Sequence, residues 1–195
     1  MLDRAGFSYD TTVGYRDTIG YRTGTTQVYR PFGVKNLMEL PLHIMDTALF
    51  YPAYLNLKDD EAERVVRALL NGTERVGGVL TINWHDRSIA PERLWGDFYL
   101  NMLCELKSRG AWLANAARTV AWFRKRRACE LEWSWSGTDT VRIGAQLDFA
   151  DSLPGLKLRI FKPRAQSLCQ AINTRKSPGF VERTLDRTTL LDVEL

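Results

Sequence analysis

The chain is 195 residues long, with 45% hydrophobic and 26% charged residues, which provides apolar material for one medium domain or one domain with a small appendage. The formal net charge of +4 is a mild excess, partly concentrated in Arg124-Lys125-Arg126-Arg127 at the end of a helical pattern, where cations suit the helix C-terminus; no nucleic-acid partner is expected from it. No run approaches the ~18 apolar residues of a membrane span, and Met1-Leu2-Asp3-Arg4 opens no signal peptide, so no membrane partner and a cytoplasmic location are expected.

Residues 1 to about 31 are rich in Gly, Thr, Tyr and Arg without helical period, and read as loops and extended segments. The apolar run Leu37 to Asp46 predicts a short strand ending on a carboxylate, with Pro41 arguing against a central position because it cannot donate to a ladder. His43, between Leu42 and Ile44, reads as a core or sheet-face histidine. From Asp59 the spacing predicts a helix: Asp60 and Glu63 mark its start, Val65, Val66, Leu69 and Leu70 form its face, and Asn71-Gly72 stops it.

Val79 to Trp84 predicts a strand, after which Pro91 opens a second helix on Trp95, Phe98, Tyr99, Met102, Leu103 and Leu106, closed by Gly110. Ala111 to Ala114 reads as another short strand, and a third helix is expected from about Asn115 to Arg126. Strands alternating with helices argue for βα units. Past Arg127 the period changes to alternation in 131–135, 141–147 and 156–160, which predicts a small antiparallel β module over 128–195; the stretch from about Gln166 onward is ambiguous, a strand pair or a loose tail. Cys104, Cys129 and Cys169 show no ligand or disulfide spacing and read as idle thiols.

Trp84-His85-Asp86 falls on a βα loop at the end of a strand, where active sites are commonly assembled, and His85 is one of only two histidines. The residues alone leave two readings of His85 open, a site histidine or a strand-end ring bonded to a backbone carbonyl.

Five ordered segments add to this reading. Gly6 to Tyr15, Gly20-Tyr21-Arg22-Thr23-Gly24, Glu39-Leu40-Pro41-Leu42 with Met45-Asp46, Trp84-His85, and Leu106 to Trp112 together resemble the C-terminal half of bacterial polysaccharide deacetylases, over roughly residues 5 to 127. The resemblance implies an α/β fold, a partial distorted (β/α) barrel over residues 1–127, followed by the β module. It also implies hydrolysis of acetyl groups from a carbohydrate with a divalent metal, zinc or similar, held by one Asp and two His. The motifs for that metal and for the catalytic base belong to the family's N-terminal half and are not in this sequence. A partial domain is therefore expected, binding no metal and catalysing little alone, with an N-terminal half or self-association through open strand edges as its partner.

By the same resemblance His85 matches the family's general acid and Asp10 the aspartate of its Tyr-Asp-(Ser/Thr)-(Ser/Thr) segment, able to orient His85 or else to make an Asx turn. Arg22 would hold a sugar carboxylate or hydroxyls, or a structural carboxylate. Asp46 and Trp84 would line the site, Trp84 as a sugar platform. A non-catalytic carbohydrate-binding module or pseudoenzyme is the alternative.

Overall fold

In the computed structural model, which describes residues 1–90, 93–138, 140–146, 152–161, 180–185 and 188–194, the apolar run beginning at Leu37 is two strands rather than one. Pro41 separates β2 (Met38–Glu39) from β3 (Leu42–Met45), because a residue without an N–H interrupts the ladder. β2 pairs in parallel with β1 (Tyr9–Asp10), setting Asp10 beside Glu39. β3 pairs in parallel with β4 (Thr81–Asn83), Met45 opposite Asn83, with a register shift between Leu42 and Ile44. Two helices lie between these paired strands in sequence, α1 (Asp46–Phe50) and α2 (Asp59–Val76). A parallel pair needs such a long connection, and α2 supplies it.

α2 presents Ala62, Val66 and Leu70 to a core completed by Ile44, Leu49, Phe50 and Met102, while Val65 stays on the exposed side. Burying Val66 and Leu70 contributes about 1.5–3 kcal/mol each. The helix begins at Asp59, as expected, but its cap is not the Asp60–Glu63 pair: the Lys58 N–H donates to Glu61 Oε2 at 2.9 Å. Nor does it stop at Asn71-Gly72. Gly72 is where Tyr21 approaches: a Cβ there would lie 3.0 Å from Tyr21 Oη, which donates to Leu69 O at 2.8 Å and is 2.9 Å from Thr73 Oγ1. The stop is Gly77, at φ +72°, a conformation that favours glycine.

After β4 comes one 3-10 turn (Asp86–Ser88), then α3 (Gly96–Ser108), ended by Gly110 at φ +76°. The expected helix start at Pro91 lies outside the described residues. Ala111–Ala114 is not a strand. It has no ladder partner among the described residues; Trp112 and Leu113 remain exposed, and the Arg118 guanidinium lies 5.9 Å from the Trp112 ring centre. α4 (Ala116–Ala128) is capped by Asn115, whose Oδ1 accepts the Arg118 N–H at 3.0 Å.

The chain divides into two compact units, Met1–Val120 and Ala121–Leu195, so the division falls inside α4 rather than at the expected 127/128. The reason is Trp122: with Cys129 it packs on Ala145, Leu156 and Leu185 of the second unit, and its Nε1 donates to Pro154 O at 3.1 Å. That unit contains β5 (Glu130–Trp135), β6 (Thr140–Gln146), β7 (Leu156–Phe161), β8 (Phe180–Leu185) and β9 (Thr188–Glu194). They form an antiparallel sheet in the order β5-β6-β9 and an antiparallel pair β7-β8. The expected strand end at Leu147, the residues 162–179 and Cys169 lie outside the described residues. All four sheets among the described residues are small, and none closes on itself. No helix among them is long and apolar enough to cross a membrane.

Candidate functional site

The parallel pairing of β3 and β4 brings two carboxyl-terminal strand ends side by side, and each hands on to a residue with chemistry. Asp46 follows Met45 directly, and His85 follows Asn83 by two residues. Asp46 is fully buried (0%), and its carboxylate accepts three hydrogen bonds: Thr47 N–H to Oδ1 at 2.6 Å, His85 N–H to Oδ2 at 2.8 Å, and the His85 ring through Nδ1 to Oδ1 at 2.6 Å. A carboxylate only accepts, so the His85 proton sits on Nδ1 and the tautomer is fixed. The His85 side chain is 44% exposed, and Nε2 has no hydrogen-bond partner among the described residues. A buried acceptor and an imidazole oriented by it are an arrangement that can pass a proton through Nε2.

Asp46, expected to line the site, is thus the residue that orients His85. Asp10, expected as the orienting carboxylate, is engaged elsewhere: Oδ1 accepts the Thr11 N–H at 2.8 Å and Oδ2 the Thr12 hydroxyl at 2.9 Å, the Asx-turn alternative. It stands beside Glu39, a second carboxylate the sequence reading did not single out. Glu39 is 2% exposed and accepts the Val13 N–H at 3.0 Å. Burial pushes its carboxyl above the usual range; the Val13 bond opposes this and the charge of Asp10 adds to it.

Trp84, expected as a sugar platform, is partly buried among aromatic rings. Its ring stacks on Tyr99 at 5.0 Å between centres and on Phe98 at 6.0 Å, with Phe50 edge-on at 6.1 Å. Its Nε1 is buried without a hydrogen-bond partner among the described residues. The residue belongs to the core beneath β4 and fixes the backbone from which His85 projects. Arg22 donates to Gly14 O at 2.6 Å and lies over the Tyr15 ring, pairing with no carboxylate among the described residues. Its loop runs along β3: Leu42 N–H donates to Val13 O at 3.0 Å and Gly20 N–H to His43 O at 2.9 Å. Gly14 is required there, since a Cβ would meet Leu42 Cβ at 2.7 Å.

His43 is a sheet residue, as its apolar neighbours suggest. It is 2% exposed, accepts the Thr81 N–H on Nδ1 at 3.1 Å and donates from Nε2 to Thr25 O at 3.3 Å. Burial lowers its pKa from 6.5, so it is held neutral, with the Thr25 bond opposing.

These partners also decide the fit of a metal. Both ring nitrogens of His43 and both oxygens of Asp46 are taken, which leaves one imidazole nitrogen, on His85, where zinc or a similar ion needs about three protein ligands. No group of three His, Cys, Asp or Glu side chains comes together among the described residues. The described residues therefore do not fit the metal centre that the resemblance implies. The chain matches no family model, no curated protein and no solved structure.

Proposed function

We propose that this chain is the acid-bearing half of a metal-dependent polysaccharide deacetylase, a partial (β/α) barrel acting on an acetylated carbohydrate. The observation that carries the proposal is the Asp46–His85 pair at the adjacent carboxyl ends of β3 and β4. Asp46 accepts one hydrogen bond from the His85 backbone N–H and one from its ring, and keeps Nδ1 protonated. Protonated on Nε2 as well, His85 donates that proton to the departing amine nitrogen or alkoxide oxygen as the acyl C–N or C–O bond breaks, and the acetyl group, now carrying the oxygen added from water, leaves as acetate. The divalent metal, zinc or similar, and the base that takes the water proton belong to the half that the resemblance places upstream.

The test is acetate release from N- and O-acetylated oligosaccharides by the protein in its natural length. His85→Ala should lower kcat by about 10²–10⁴ with little change in KM, and Asp46→Asn should do the same by weakening the orientation of the ring. Unchanged turnover in His85→Ala would remove the acid role. Oligosaccharide binding without acetate release would instead support a non-catalytic carbohydrate-binding module.

A further inference from the structure

Among the described residues β5 is an edge strand with one neighbour, β6, and all six of its residues are exposed. Leu131 is 48%, Trp133 68% and Trp135 57% exposed, a solvent-facing row of large apolar side chains on one face. Across the ladder their partners Ala145, Ile143 and Val141 are buried. Leu156 of β7, Leu185 of β8 and Trp122 of α4 pack against Ala145.

The backbone of the same three residues also points outward. Ser136 N–H donates to Thr140 O at 2.9 Å, closing the β5-β6 hairpin. Hydrogen-bonded and non-hydrogen-bonded pairs alternate in an antiparallel ladder, so Glu130, Glu132 and Ser134 turn their N–H and C=O groups toward β6. Leu131, Trp133 and Trp135 turn theirs to the free edge. Such an edge is a template for another strand.

We infer that β5 pairs with β5 of a second copy of this chain, antiparallel and centred on Trp133, forming a symmetric dimer through one continuous sheet. Charge selects the register. Centred on Trp133, the pairing sets Leu131 opposite the partner's Trp135, Trp133 opposite its own copy, and both Glu132 and Glu130 opposite serines, Ser134 and Ser136. Centred on Glu132, two like charges would stand directly opposite, which destabilises a strand pair. Centred on Ser134, Leu131 would face Gly137 and lose its apolar partner. The Trp133 register alone pairs all three outward-facing residues with each other and keeps the carboxylates apart.

Sedimentation velocity of the 195-residue chain under reducing conditions, over a concentration series, should show a reversible dimer. Trp133→Pro removes a donor that points away from β6, so it should leave the hairpin and abolish the dimer. Ser134→Glu sets a new carboxylate directly opposite the partner's Glu132, once in each half of the symmetric pairing, and should weaken association by about tenfold. Its own hairpin is not harmed, because Ser134 lies across from Arg142. Under oxidising conditions Trp133→Cys should form a disulfide-linked dimer, since Cα atoms in a hydrogen-bonded pair stand about 5.5 Å apart, within disulfide reach. A wild-type monomer at every concentration overturns the inference, as does a dimer unaffected by both Trp133→Pro and Ser134→Glu.

Discussion

Asp46, His43 and Glu39 lie within one short stretch of chain, all nearly inaccessible to solvent, and burial is compensated differently in each. Asp46 receives three N–H donors, His43 remains neutral between a donor and an acceptor, and Glu39 has one N–H and an unfavourable neighbour in Asp10. The last two give stability opposite pH dependences. The folded-state pKa of His43 lies below 6.5, so the unfolded chain binds the extra proton first and stability is lost as pH falls through 6.5 toward the folded value. The folded-state pKa of Glu39 lies above 4.5, so its contribution is present below 4.5 and is lost as pH rises through the folded value. Denaturant midpoints between about pH 8 and 4 should therefore show His43→Gln flattening the decline just below 6.5. Glu39→Gln, which retains an acceptor for Val13, should raise stability at neutral pH. Failure of either change to alter its own part of the profile would exclude that residue as the source. At this scale the sequence marks His85 by its position at a strand end and His43 by its apolar neighbours. It does not mark Asp46 as the orienting residue, because its partner is 39 positions away and the pairing depends on strand register.

Strongly periodic elements were legible: α2 and α3 from their apolar spacing, β5, β6 and β7 from alternation. Legibility failed where a distant contact decides. Asn71-Gly72 has the residues of a helix end, yet α2 continues because Gly72 gives Tyr21 room to bond Leu69 and Thr73. Ala111–Ala114 has an apolar run but no neighbour to pair with among the described residues, and α1 is five residues long, too short to display a period. Gly78 shows the same dependence in its clearest form. At φ +121°, a Cβ would meet Thr26 Oγ1 at 2.4 Å and Thr26 O at 2.5 Å, while the next residue, Val79, donates to Thr26 O at 2.7 Å. Gly78→Ala should therefore destabilise the first unit by about 2–4 kcal/mol, read from denaturant unfolding. A change under about 0.5 kcal/mol would mean that the loop holding Thr26 can yield.

At the scale of the molecule, the change from helical to alternating pattern near residue 128 is a true change of architecture, but it is not where the packing divides. Trp122 and Phe123 are helical in pattern, and Trp122 belongs to the core under β6 and β7. A fragment starting at residue 115 should give a cooperative thermal transition, whereas one starting at 129 should lose it, because Trp122 and Phe123 are missing. Equal transitions would show that the β module does not need α4. The parallel joining of β3 to β4 has a different kind of consequence. Asp46 and His85 meet only after α2 has crossed over and both strands are in register. The proton on His85 Nδ1, shared with a carboxylate that solvent cannot reach, is accordingly a signature of that closure. In a proton NMR spectrum it should give a single downfield, slowly exchanging resonance, absent from the unfolded chain, so that completion of this crossover can be timed by watching one hydrogen atom.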